Sequence, residues 1–174
     1  MIRSEYPLTR ISRPDEWSLH AYFFFCPEHP DREKLTYYTI AEDQQSGQVV
    51  VCDRQGEGRR AVGDPHRYSQ DRPMFHTGSR QHWTPAGELV FVRRDTEQVE
   101  LYADGAGEAM VLPAGAGLIQ SPDGKWTLGG FMPESTRLPE RTSDELGHVN
   151  RTEIATGQRQ VLFDESAVWE IHPR

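Results

Sequence analysis

A unit of two turns recurs three times along this chain, and few folds accommodate that pattern. Gly56, Gly107 and Gly157 stand 51 and then 50 residues apart. Each closes a strand-like run: Val50-Val-Cys-Asp-Arg-Gln-Gly56, Leu101-Tyr-Ala-Asp-Gly-Ala-Gly107 and Arg151-Thr-Glu-Ile-Ala-Thr-Gly157. A second series of turns lies upstream, at Pro30, Pro85 and Pro122. The best formed is Leu118-Ile-Gln-Ser-Pro-Asp-Gly-Lys-Trp-Thr-Leu-Gly130. There Pro122 sets the first turn corner, Asp123 bonds nearby backbone and Gly124 tolerates positive φ. Each unit reads as strand, Pro/Asp/Gly turn, strand, variable loop, strand, Gly turn, strand. That is a four-stranded antiparallel meander of about 40–50 residues, the size of a propeller blade. A β-sandwich also places short strands every ~8–12 residues. The repeated order of two turn types favours the propeller.

The predicted strands follow the chain in that order. His20-Ala-Tyr-Phe-Phe-Phe-Cys26, Leu35–Ile40, Gln48–Cys52 and Arg59–Val62 form one unit. Arg80–Trp83, Leu89–Val92, Val99–Tyr102 and Ala109–Leu112 form the next. The third holds Leu118–Ile119, Trp126–Leu128, His148–Ile154 and Arg159–Phe163. Residues 63–78 and 133–147 read as loops. No stretch argues for a helix. The expected fold is all-β, a partial propeller with a lead-in over residues 1–19. Its blades cover roughly 20–63, 79–113 and 116–165. Ala167-Val-Trp-Glu-Ile171 begins a fourth strand set that runs to residue 174. Three blades leave an open arc with unprotected edges. The expectation is a truncated propeller or, failing that, a piece completed by further copies.

Composition narrows the function. The net charge of −8 argues against nucleic acid, whose phosphates need a basic surface. No run of about 18 apolar residues is present, so no membrane helix is expected. The N-terminus lacks a signal-peptide pattern, which points to the cytoplasm. Cys26 and Cys52 lie in apolar runs and are expected to be buried free thiols. Local arginines, at 59–60, 67, 72, 80 and 93–94, read as a solvated rim, or in part as contacts to an anionic ligand. There is no nucleophile elbow, phosphate loop or Cys-x-x-Cys. Trp17, Trp83, Trp126 and Trp169 read as core, with Trp83 also a candidate platform for a sugar ring. Loop histidines His29, His66, His76 and His148 read as hydrogen-bonded structural residues.

Ser-Pro-Asp-Gly-Lys-Trp before a strand, with a later strand ending in Thr-Gly, resembles the TolB-type propeller repeat. His20-Ala-Tyr-Phe-Phe-Phe, Gln81-His82-Trp83-Thr-Pro and Ile171-His-Pro resemble the oligogalacturonate lyase family more specifically. That resemblance implies a seven-bladed propeller and a metal-dependent β-elimination on short uronic-acid chains. It implies a divalent metal such as manganese, an acidic oligosaccharide partner and a cytoplasmic location. Carried onto this chain, it makes His82 and Arg80 the catalytic candidates. Trp83 and Arg93 become candidates for substrate binding, and His20, Gln81 and His172 for metal ligation, with Gln120 an alternative to Gln81. A cation and an arginine would neutralise the uronate while a neutral imidazole takes the proton α to the carboxylate. The competing expectation is a non-catalytic TolB-like binding or scaffold module, in which these side chains are dispersed or covered.

Overall fold

The structure is a computed structural model. It describes residues 9–20, 25–67, 78–93, 95–96, 98–113, 116–131 and 148–164. Twelve strands form three separate four-stranded sheets, and no helix occurs among the described residues. Blade 1 holds β1 (Trp17–Leu19), β2 (Lys34–Ile40), β3 (Ser46–Asp53) and β4 (Arg60–Arg67). Blade 2 holds β5 (His82–Trp83), β6 (Glu88–Val92), β7 (Val99–Ala103) and β8 (Met110–Leu112). Blade 3 holds β9 (Ile119–Gln120), β10 (Trp126–Phe131), β11 (His148–Glu153) and β12 (Arg159–Asp164). Within each sheet the strands pair in chain order and antiparallel, the meander that the repeat predicts.

The upstream turn repeats one geometry in all three blades. Arg32, Gly87 and Gly124 each donate a backbone N–H to the carbonyl three residues back, of His29, Thr84 and Ser121. All three adopt positive φ, at 65°, 83° and 69°. A glycine suits that corner, and the arginine is accommodated in blade 1 only as an isolated left-handed residue. In blade 3 the turn is tied further: Trp126 N–H donates to Ser121 Oγ at 3.0 Å, and Lys125 N–H to Asp123 Oδ1 at 3.2 Å. The third strands end at Asp53, Ala103 and Glu153, at equal intervals along the chain.

The blades pack face to face. Tyr38, Val49, Val51 and Val62 of blade 1 meet Trp83, Leu89, Phe91 and Tyr102 of blade 2 in one buried cluster. The alternate residues of blade 2, Val90, Val99, Leu101 and Leu112, pack with Leu118 and Ile154 of blade 3. This is the period-2 alternation of strands buried on both faces. The far face of blade 1, with Tyr37, Val50 and Cys52, is packed by Ile11.

Three expectations need correction. The first strand of blade 1 is Trp17–Leu19, inside the expected lead-in, and Phe25 and Cys26 belong to no strand. The rest of the expected strand, residues 21–24, lies outside the described residues, and Glu28 pairs with Leu35 through an isolated bridge. Phe25 stacks on His82 of the next blade, with ring centroids 4.6 Å apart. Phe25 therefore serves packing between blades. β4 continues to Arg67, through a stretch expected to be loop. It is an edge strand, where Pro65 removes no ladder bond, and its register shifts opposite Gly47–Val49. Finally, Cys52 is buried but Cys26 is exposed; both are free thiols.

Candidate functional site

The segment before β2 and the first strands of blades 2 and 3, β5 and β9, meet at a cleft of about 760 Å³. Glu28, Trp83 and Gln120 line it, and each stands two residues before its blade's turn proline. Pro27, His82 and Ile119 occupy the position before those. Phe25, Cys26 and Leu118 complete the apolar wall, and Thr84 adds a hydroxyl. The same turn therefore delivers the same strand position to the cleft three times. A smaller cleft at Glu16–Trp17 and Gln44–Gln48 carries Asp15, Glu16 and Glu42 on its wall, which would repel an acidic ligand.

His82 is the titratable residue deepest in the larger cleft, with 7% of its surface exposed. Its Nδ1 lies 3.0 Å from the Arg80 carbonyl, and the Leu118 backbone also bonds the ring. Burial pushes its pKa below the ordinary histidine value, and those two bonds only partly offset the shift. The ring is neutral at neutral pH. Trp83 is 3% exposed; His29 meets its ring edge-on at 4.6 Å, and its Nε1 is buried without a partner. Gln120 donates to Glu88 Oε2 at 2.7 Å, while its own Oε1 is buried and unpartnered. Glu28 is the charged residue on the wall, and Arg54 approaches its carboxylate at 2.8 Å.

The other expected site residues are placed elsewhere. Gln81 immediately precedes β5 and is fully buried. Its Nε2 donates to the Leu19 carbonyl and its Oε1 accepts from Ser79 N–H, so both ends hold backbone. Arg93 is clamped to Asp95 by two hydrogen bonds, at 2.8 and 3.1 Å, and faces Glu100 at 3.6 Å. It does not line the cleft. Arg80 sits at positive φ, and its carbonyl, not its guanidinium, touches His82. His20 follows β1 and is not on the cleft wall; Pro27 holds the position equivalent to His82. His172, like His76, Arg72, Arg94 and Trp169, lies outside the described residues. Of the expected set, His82 and Trp83 come together in the cleft with Gln120, the alternative ligand. Glu28 and Phe25 were missed, although counting two residues back from Pro30 finds Glu28.

The described residues do not fit a divalent metal. No three histidine, cysteine or carboxylate side chains among them cluster, and the Gln81 amide and His82 Nδ1 are committed to backbone. His66 and Ser79 form a hydrogen-bonded pair between blades 1 and 2. Both are buried and the pair is structural; a nucleophile there has no access to substrate.

No family profile matches the sequence, and no curated protein matches it. Solved structures do match. An oligogalacturonate lyase in complex with manganese superposes with a TM-score of 0.62 at 17% identity. Oligogalacturonate lyase from Vibrio parahaemolyticus superposes with a TM-score of 0.64 at 13% identity. This chain has the fold of part of an oligogalacturonate lyase propeller. The match takes in 89% of this chain but 43% of either lyase, so the arc corresponds to less than half of those molecules.

Proposed function

We propose that this arc is part of an oligogalacturonate-lyase-like propeller acting on short uronic-acid oligosaccharides by β-elimination, with the inner-strand cleft as one wall of the sugar site. The observation that carries this reading is the neutral, buried His82 beside Trp83 at the inner strands of a lyase-like fold. β-Elimination removes the proton α to the uronate carboxyl and expels the oxygen at the β-carbon. A neutral imidazole accepts such a proton. An indole edge and amide and hydroxyl groups, here Trp83, Gln120 and Thr84, suit sugar rings and their hydroxyls. The one charge on this wall is the Glu28 carboxylate, so cationic partners for the uronate carboxyls come from beyond the cleft lining. The neighbouring fold's manganese complex motivates a divalent metal in the whole assembly, held by residues other than those described.

A second reading, a non-catalytic sugar-binding module, is favoured by one observation. Gln81 and Arg93 are already engaged and Arg80 lies off the cleft. One experiment separates the two. Incubation with short oligogalacturonates, followed by ultraviolet detection of the unsaturated uronate, is expected to show elimination that His82→Ala abolishes. Full activity in His82→Ala overturns the catalytic assignment. Binding without unsaturated product in the unaltered protein establishes the module.

A further inference from the structure

We infer that blades 2 and 3 enclose a site for ordered water, built on a polar row that opens on the cleft at Gln120. Across blade 3 three side chains stand directly opposite one another: Gln120 on β9, Thr127 on β10 and Thr152 on β11. Asn150 shares their face of β11, two residues from Thr152. This face meets blade 2, because Gln120 Nε2 donates to Glu88 Oε2 on β6 at 2.7 Å. Thr127, Asn150 and Thr152 are each at most 1% exposed. Five of the row's polar atoms have no hydrogen-bond partner among the described residues: Gln120 Oε1, Thr127 Oγ1, Thr152 Oγ1, and both Oδ1 and Nδ2 of Asn150.

The same positions in blade 2 are filled differently. Trp83, Leu89 and Tyr102 stand in line across β5, β6 and β7, and Phe91 lies opposite Glu100. The four apolar side chains pack in the cluster shared with blade 1, and the Tyr102 hydroxyl donates to Glu100 Oε2 at 2.8 Å. Their counterparts in blade 3, taken in the same order, are Gln120, Thr127, Thr152, Gly129 and Asn150, and every one is smaller. The facing wall does not make up the volume: blade 2 presents Val90, Val99, Leu101 and Leu112, where blade 1 presents Tyr38 and three valines. The row is therefore polar and roomy, the two conditions that a buried water needs. Asn150 Nδ2 needs an acceptor, Asn150 Oδ1 and Gln120 Oε1 need donors, and the hydroxyls take either role. Water answers all of them. A cation answers only the oxygens, and no carboxylate stands in the row. Leaving these groups desolvated is costly, and buried water is their ordinary partner. Gln120 lines the cleft, so the waters exchange with solvent there.

Substitutions that keep the shape and remove one hydroxyl test the site by the sign of their effect. With water bound, Thr127→Val and Thr152→Val each take a partner from it, and the melting temperature of the full chain falls by about 2–4 °C. In a dry interface each substitution instead removes an orphaned polar atom, and the melting temperature holds or rises. A crystal structure of the unaltered chain is expected to show water within about 3.2 Å of Asn150 Nδ2. Three outcomes overturn the inference. The first is a pair of valine variants at least as stable as wild type. The second is a protein group, rather than water, against Asn150. The third is a melting temperature that depends on sodium or potassium, against choline at equal ionic strength, in wild type but not in Thr152→Val, which marks a cation.

Discussion

Blade 1 turns its outer face to Ile11 and Glu16 of the preceding chain, whereas blade 3 leaves Ile119, Leu128, Val149 and Phe163 exposed on the side turned away from blade 2. The two sheets have the same strand order and the same turn chemistry. What differs is the cover. Over blade 1, Ile11 adds apolar contact and Glu16 anchors it. The Glu16 carboxylate accepts hydrogen bonds from Arg59, from the Arg13 N–H at 2.8 Å and from the Tyr37 hydroxyl. Partial burial pushes its pKa up, but those bonds outweigh burial and hold it below the usual carboxylate range. A blade in this fold is thus a sheet with two sticky faces, and each face needs a neighbour or a strap.

The largest expected effect contrasts two phenylalanines. Phe91 is fully buried between blades 1 and 2, stacked on Tyr102 with centroids 5.5 Å apart. Phe91→Ala is expected to cost about 3–5 kcal/mol in urea unfolding. Phe163→Ala, measured at concentrations where the chain is monomeric, is expected to cost under about 1 kcal/mol. Equal losses would mean that the third blade's outer face is as well covered as the interface inside the arc.

Removing the strap comes next. Glu16→Ala leaves Arg59 and Tyr37 without their shared acceptor, at a cost of about 2 kcal/mol. Hydrogen exchange should then accelerate in β3 and β4 while β10 and β11 keep their rates. Unchanged exchange in blade 1 would show that Ile11 alone holds the segment down.

The smallest effect is a pH dependence that distinguishes the buried interfaces from the exposed face. His66, packed between Tyr38 and Phe91, and His82 both have pKa values lowered, first of all by burial. The unfolded chain then binds protons that the folded chain refuses. Stability is complete above the unfolded histidine value of about 6.5 and declines as pH falls from there toward the lowered folded values. Melting temperature followed from about pH 8 to pH 5 should drop on the acid side in wild type. It should drop less in a His66→Gln variant.

Much of the site was readable from the turns. The proline count placed Trp83 and Gln120 at matching positions, and the fold brings both to the cleft with Glu28. The count failed where a residue's destination depended on a neighbouring blade. Phe25 looked like strand because of its composition, yet it left its own sheet to stack on His82. Gln81 sits next to His82 and looked equally available, but its amide is spent on the backbone of Ser79 and Leu19. Arg93 was legible as a charge with Asp95 two residues on, while its second partner Glu100 became visible only once β6 and β7 were paired. Thr127, Asn150 and Thr152 gave no sign in the sequence of being buried with unpartnered polar atoms between blades 2 and 3.

The sequence by itself determined the blades. Turn chemistry is local, set by a proline's fixed φ, a short polar side chain and a residue that accepts positive φ, and a period-2 pattern needs only adjacent residues. Tertiary structure decided which face of each blade meets which neighbour, which histidine is held neutral in the cleft and which arginine is spent on an ion pair. The first two outcomes depend on burial between segments tens of residues apart, which no local pattern encodes, and the third depends on strand pairing that brings Glu100 to Arg93.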